Sequence, residues 1–481
     1  MKKIIYIAGI VSIMITSCKK DFIELTPVST ISIDLLFKTD KDYKDAIIGC
    51  YNVLQTQYKD MYIFGDIRAD DASKDIINTS SCYFADVFTL SSENPLVENA
   101  WKNYYSLIFR ANKILLMLKD ADPSIIVNKD LYLAETRFLR ALAYFDLVRI
   151  FGNVPMILTP ISVQESYEIG REGVDKIYNE VIIPDLQEAE KVLPLTYTGA
   201  NIGRATQGAA KSLLGKVYLT IHDFAKAEAK LHEVTTMGYT LLTNYDDLFD
   251  YTKDEHHSEY IFDIEYISGG HGEGSPFTRL FIPMSLDYAK FLNIVGAASG
   301  DSYLNISVDL FNAFDPLDLR RDITADTTGG YVDGNGVFHQ FVYREKFTHK
   351  YEVAIASGDD SPANWKVIRY ADVLLMYAEA LNENSKTEES LTYLNMVRAR
   401  AGLTGYSELS KDQARDKIYL ERRFELSFEG HRWFDLVRTG LAYNVMQSFN
   451  MQPYMTVFPI PLSQIQIVND PAIFYQNTGY E

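Results

Sequence analysis

Cysteine is almost missing from this chain, with three in 481 residues. Cys18 stands near the N-terminus, so only Cys50 and Cys82 remain, and two cysteines exclude a small disulfide-stapled scaffold. Cys50 falls in a helical pattern with Ala46, Ile47, Tyr51 and Leu54 and is expected as a small core residue. Cys82 is expected in a loop, and a bridge between the two stays open. Tryptophan is equally scarce, at three. Positive charge is in deficit: 46 Lys and Arg face 65 Asp and Glu, a net charge of −19. That disfavours nucleic acid, heparin-like glycans and anionic membrane surfaces as partners, although a local basic patch can override net charge. After residue 15 no apolar run is long enough to span a bilayer.

What is abundant is tyrosine and phenylalanine, 33 and 26. Much of this is expected in helix packing, and the tyrosine surplus also suits surfaces that meet polar ligands, since each ring has an apolar face and a polar tip. The length is ample for a large core, in one big domain or two lobes. The N-terminus reads as an export signal: Lys2 and Lys3, then an apolar run from Ile4 to Ile15, too short to cross a membrane. Ile15-Thr16-Ser17-Cys18 resembles a lipobox, in which the Cys18 thiol takes the lipid. Residues 1–17 are therefore expected to be a lipoprotein signal peptide and 18–30 a lipid-anchored stalk, its flexible part ending near Pro27. Several acyl chains on one residue anchor stably where one chain binds marginally.

Helical spacing then dominates. Helices are expected over 41–57, 94–119, 130–151, 171–193, 205–221, 223–237, 366–382 and 387–401. Leu193-Pro194 and Gly152 supply stops. Arg137, Arg140 and Arg149 with Glu135 and Asp146 read as pairs within and between helices. Leu214-Gly215, Tyr218, Ala227 and Leu231 match the intervals of a tetratricopeptide helix–turn–helix, and 369–403 is a looser copy with Ala378, Leu381 and Leu394. Paired in order, these helices make four units whose stacking would bury one continuous core. Between 244 and 364 the helical period breaks. Residues 259–267 alternate like a strand, and 331–343 read as a hairpin turning at Asp333-Gly334-Asn335-Gly336. The glycine loop 268–276 lacks dinucleotide spacing, and no calcium-loop interval is present. His256, His257 and His271 have no cysteine or paired carboxylate at metal-site spacing and read as loop histidines. This insertion is rich in aromatic and polar side chains: Tyr266, Phe277, Arg279, Phe281, Tyr288, Asn293 and Tyr303.

The most informative stretch is Glu421 to Gly440, ERRFELSFEGHRWFDLVRTG. Leu420, Phe424 and Phe428 form one apolar stripe, and Glu421, Glu425 and Glu429 form a second row at the same spacing. Three stacked like charges repel, so they need partners. Arg422 lies three before Glu425 and Arg432 three after Glu429, which points to a carboxylate–guanidinium lattice beneath an aromatic cluster with Trp433 and Phe434. The helix is expected to stop at Gly430 and restart. A glycosidase sets its two carboxylates on opposite sides of a sugar, which side chains on one helix face do not do.

These residues, with the closing VFPIPLSQIQIVNDPAIFYQNTGY and the segment 130–157, resemble the SusD/RagB family of surface lipoproteins that bind nutrient glycans, or in some members peptides. The resemblance implies a mostly α fold: about four tetratricopeptide-like helix pairs with a large irregular loop and short-strand insertion. Its regions would be 31–243 (N-terminal helical repeats), 244–364 (the ligand-side insertion) and 365–481 (the C-terminal repeat and signature). It implies an outer-membrane location facing the exterior and a SusC-like TonB-dependent transporter as partner. Because the family's ligand face includes the loop corresponding to 66–92, Asp70, Asp71, Lys74, Tyr83 and Phe84 become ligand candidates, beside Tyr266, Arg279, Phe281, Tyr288 and Tyr303. Flat rings for sugar C–H faces plus Asp, Arg and Tyr groups for hydroxyls suit such a site. Peptide capture is the alternative, leaning on backbone-type hydrogen bonds. A hydrolase and a pure protein scaffold rank lower. There is no nucleophile–base constellation, no metal spacing and no opposed carboxylate pair, so no catalytic residue, metal or cofactor is expected. A pure scaffold would not need the long insertion.

Overall fold

In a computed structural model, residues 37–480 are described, apart from 74–79, 254, 282–291, 295–304, 325–329, 333–334, 341–345, 347–350 and 356. Cys18, Lys74, Tyr288 and Tyr303 therefore lie outside the described residues. Helix α1 (Asp40–Tyr58) begins where the sequence supplies a cap: Thr39 and Asp42 close a reciprocal capping box. Asn94 caps α2 (Pro95–Lys119), whose first residue is the proline that a helix tolerates only there. α3 (Lys129–Phe151) is buried on every side and ends at Gly152, whose φ of 71° only glycine adopts freely. A one-turn helix and a π turn lead into α4 (Ile183–Val192). α5 (Gln207–Thr220) and α6 (Phe224–Thr235) are capped by Thr206 and Asp223.

The helices form a row. α1 packs on α2, α2 on α3, α3 on α4, α4 on α5 and α5 on α6. α6 then packs across the sequence gap on α7 (Tyr370–Glu383), and α7 on α8 (Thr387–Arg400). Each sequence-adjacent pair buries the face its neighbour cannot, so one core runs the length of the row. Gly215 shows how close the pairing is: a Cβ there would stand 2.6 Å from the Leu231 side chain. Within the row, buried α3 meets its polar needs internally. Asp146 accepts from the Tyr58 and Tyr104 hydroxyls at 2.8 and 3.0 Å and pairs with Arg149, while Arg140 reaches Asp185 at 2.8 Å. No helix among the described residues is long and apolar enough to cross a membrane.

Sheet structure is sparse. β2 (Tyr260–Ile264) pairs antiparallel with β6 (Trp365–Arg369), and β4 (Gly330–Val332) with β5 (Phe338–Gln340) as the hairpin spacing predicts. The helix expected from 366 starts instead at Tyr370. Trp365, Val367 and Ile368 are aromatic or β-branched and buried, so pairing with β2 wins over helix. The connection 66–92 is also more structured than a loop. A π turn covers Ile63–Ile67, β1 is Ala72–Ser73, and Ser80 caps a short helix, Ser81–Asp86. Cys82 lies inside that helix, buried against the Tyr62 hydroxyl at 3.5 Å. Both it and Cys50 are free thiols, and burial pushes Cys50 up to about 12.

The signature region breaks earlier than its periodicity predicts. α9 (Lys411–Glu425) ends five residues before Gly430, and α10 (Arg432–Arg438) follows a turn in which Phe428 and Gly430 both have positive φ, 64° and 76°. The turn passes another backbone with no room to spare. A Cβ on Gly65 would lie 2.3 Å from the Gly430 carbonyl oxygen. The Gly430 N–H donates to Asp66 Oδ2 at 2.8 Å.

Candidate functional site

The glutamate row of the signature is neutralised, as its spacing demands, but by cations from elsewhere. Arg369, at the end of β6, reaches Glu429 at 2.7 Å, Glu425 at 2.5 Å and Glu259 at 2.8 Å. Arg320 bridges Asp318, Glu421 and Glu425 at 2.7–2.9 Å. Lys346 meets Glu429 at 2.8 Å, Arg398 meets Glu421 at 2.9 Å, and Arg400 pairs with Glu425. The cluster is buried and sets Arg320, Lys346, Arg369, Arg398 and Arg400 against Glu259, Asp318, Glu421, Glu425 and Glu429. Burial alone would lift Glu425 and Glu429, but Arg400, Arg369 and Lys346 outweigh it and hold both below the usual range. Burial brings Lys346 down to about 8.

Arg422 and Arg432, the sequence-near candidates, point away from this lattice. Arg422 pairs with Asp372 and Asp435, both at 2.8–2.9 Å. Arg432 grips Asp70 with two hydrogen bonds of 2.7 and 2.9 Å. Arg423 reaches Asp71 at 2.5 Å, Asp70 at 3.0 Å and Asp309 at 2.8 Å. The signature helix therefore clamps the start of one predicted ligand segment to the end of the other. β1 makes the same join through its backbone: Ala72 pairs with Ile306 and Ser73 with Asn305 of β3 (Asn305–Ile306), and Ser307 N–H donates to the Asp71 carbonyl at 2.8 Å. Among the described residues, the start of 66–92 thus meets the end of the stretch expected at 266–305 along one join.

Around that join the individual candidates divide. Asp71 is fully buried and Asp70 nearly so. Both are consumed by Arg423 and Arg432, so they brace the join instead of presenting oxygens to solvent. Burial pushes Asp70 up, but Arg432 outweighs it, and the carboxyl stays below the usual range. Tyr266 and Phe281 are interior rings, 4% and 2% exposed. Tyr266 stands edge-on to Phe277 and donates its hydroxyl to the Gln55 carbonyl at 2.8 Å. Phe281 packs between Phe277 and Tyr62. These rings go inward because 266–281 folds back against the segment entering β6: Tyr266 N–H donates to Asn364, and Ser275 pairs with Ser361. Asn293 serves the same fold, donating to the Tyr351 carbonyl at 3.1 Å.

Outward-facing groups remain. Tyr83 and Phe84 are half-buried on the short helix, their rings 5.8 Å apart at a steep angle. Arg279 lies at the surface with Asp359 at 2.6 Å. Asp309 and Asp359 are open to solvent, 76% and 60% exposed at their side chains. Among the described residues these are two rings, a guanidinium and two carboxylates, the types of group that together fix a hydroxyl-rich ligand. The missed residues are Arg423, Asp309 and Asp359. Arg423 sits in the signature beside Arg422, but nothing local distinguishes which of the two reaches forward.

The histidines separate. His257 accepts from the Glu259 N–H at its Nδ1, His271 is exposed, and His256 stands between two carboxylates. His431, in the signature turn, is buried against Lys216 Nζ at 3.2 Å. Burial first, then Lys216, brings it down to about 3. The folded protein keeps it neutral while the unfolded chain protonates it below about pH 6.5, so its stabilising term is complete above that value and is lost as pH falls toward 3. Unfolding stability is expected to drop by roughly 2 kcal/mol from this residue between pH 7.5 and 5. Urea titrations at both pH values check it, and His431→Gln should flatten the dependence. An unchanged pH slope in that variant removes His431 as the cause.

Comparison with known proteins agrees with this architecture along the chain. Residues 320–480 match the family described as SusD family, and residues 21–219 match one described as starch-binding associating with outer membrane. SusD-like protein P25 of Formosa agariphila is 27% identical over 96% of this chain and 97% of its own length. Starch-binding protein SusD of Bacteroides thetaiotaomicron is 25% identical over 72% of each. The solved structure of a laminarin binding SusD-like protein superposes with a TM-score of 0.79 at 28% identity, covering 92% of this chain and 100% of that one. The clamped signature, the helix row and both matched spans lead to one conclusion: the chain belongs to the SusD-like family.

Proposed function

We propose that this protein captures a nutrient oligosaccharide or polysaccharide at the cell surface and passes it, without cleaving it, to a SusC-like TonB-dependent transporter in the outer membrane. The observation that carries this reading is the full-length structural likeness to a laminarin binding protein. The surface around the join of 66–92 to 266–306 supplies a place for the ligand, with Tyr83, Phe84, Arg279, Asp309 and Asp359 as the contacts to test first. Lys74, Tyr288 and Tyr303 belong to the same two segments and to the same proposal. The acidic balance favours neutral glycans over polyanionic ones.

The test is a binding screen of the protein against neutral glucans, including laminarin and starch, beside other glycans and a peptide mixture, with product analysis on every hit. Saturable binding to one glycan with no cleavage is the expected result. Binding of peptides alone replaces glycan capture with peptide capture, and cleavage of any hit overturns the non-enzymatic reading. Delivery is checked by co-purification with the transporter. Anchoring rests on Cys18: Cys18→Ala is expected to move the protein from the outer-membrane fraction to the soluble fraction, and a variant that still pellets with the membrane removes the lipid anchor from the proposal.

A further inference from the structure

Glu255, His256 and Glu265 come together at the seam of two clefts that share Ile202, Gly203 and Arg204. His256 Nε2 lies 2.6 Å from Glu265 Oε1, and its Nδ1 lies 3.3 Å from Glu255 Oε2. One donor atom from each residue falls within 4.8 Å of the other two. We propose that this trio binds a divalent transition metal of the zinc class, through one imidazole nitrogen and one oxygen from each carboxylate.

Three features beyond proximity support it. First, the donors are held. Glu265 rests on Gly203, where a Cβ would lie 2.5 Å from Oε2, and it takes a long hydrogen bond of 3.5 Å from Tyr260. Glu255 accepts from Asn364 at 3.2 Å, and the Tyr260 ring stands edge-on to the imidazole at 4.9 Å. Such outer contacts orient metal ligands and fix their tautomers. Second, the carboxylates outnumber the cation beside them: among the described residues Glu265 has no lysine or arginine partner, and His256 is shared between two carboxylates. Third, the donor set is selective. Calcium takes about six to eight oxygens, which three side chains do not supply, whereas one imidazole with two carboxylates suits zinc and leaves a coordination position open. That position would face clefts of about 620 and 200 Å³, so a ligand oxygen could complete the shell. Sequence spacing hides the trio because Glu265 lies on the far side of strand β2 from its partners.

The purified full chain, without a polyhistidine tag, is dialysed against zinc and then against calcium, with elemental analysis and a melting curve for each. Uptake of a single zinc per chain, with a raised melting temperature and no matching calcium uptake, is expected. His256→Asn and Glu265→Gln should each weaken zinc binding by roughly tenfold or more, while His271→Asn should not. Circular dichroism confirms folding, and Glu255→Gln, on an exposed side chain, serves if either variant misfolds. No zinc uptake, equal calcium uptake, or uptake undiminished in the folded variants overturns the proposal.

Discussion

Arg369→Met should destabilise the protein by about 3–5 kcal/mol, the usual cost of removing one partner from a buried ion pair. Arg369 is 1% exposed and touches Glu259, Glu425 and Glu429 together, besides donating to the Glu425 carbonyl at 2.6 Å. Without it the five anions of the cluster keep four cations, and a carboxylate is left charged in a dry interior or must take up a proton. The damage should be partly repaired by Glu429→Gln in the same chain, since that removes the stranded charge. Denaturant titration of the single and double variants measures both. A single-variant loss below about 1 kcal/mol, the range of an ordinary surface change, would show that Lys346 and Arg400 already neutralise the row.

Trp433→Ala is expected to cost about 3–5 kcal/mol through the cavity it leaves. The side chain has no exposed surface, meets Phe88 edge-on at 5.8 Å, and lies beneath the Arg68 guanidinium at 5.4 Å. Its indole nitrogen has no hydrogen-bond partner among the described residues, so Trp433→Phe should lose only volume and recover much of the stability. Glycan affinity should stay unchanged in both variants, because the ring sits behind the clamp that Arg423 and Arg432 make. A folded Trp433→Ala protein that no longer binds glycan would move the ligand site to the aromatic cluster.

The helix row was legible because its signal is local: apolar residues at spacings of three and four, and Gly152 as a stop. The two joined segments were legible as a pair only through the family resemblance. The partners of Glu421, Glu425 and Glu429 were not, since a helix face states that charge must be met and not where the cations come from; Arg369 and Arg320 arrive 56 and 105 residues before Glu425. Local spacing nominated Arg422 and Arg432, and longer-range pairing sent both elsewhere. The candidate rings failed for a related reason. Tyr266 and Phe281 stand in an irregular stretch with no period to mark a buried side, and their burial follows from how that stretch folds onto residues near 361–365.

The passage of Gly65 against Gly430 has a consequence for biogenesis. The Asp66–Gly430 hydrogen bond spans 364 residues, and the Arg432–Asp70 clamp spans 362. The N-terminal helices can pack with their sequence neighbours as they emerge, and β1 can pair with β3 once residue 307 is made, but Asp70 and Asp71 gain their arginine partners only when the chain is nearly complete. A protein truncated before residue 421 is expected to keep its row of paired helices and to lose the Arg423 and Arg432 clamp. The closing step of folding and the completion of that clamped surface are therefore one event.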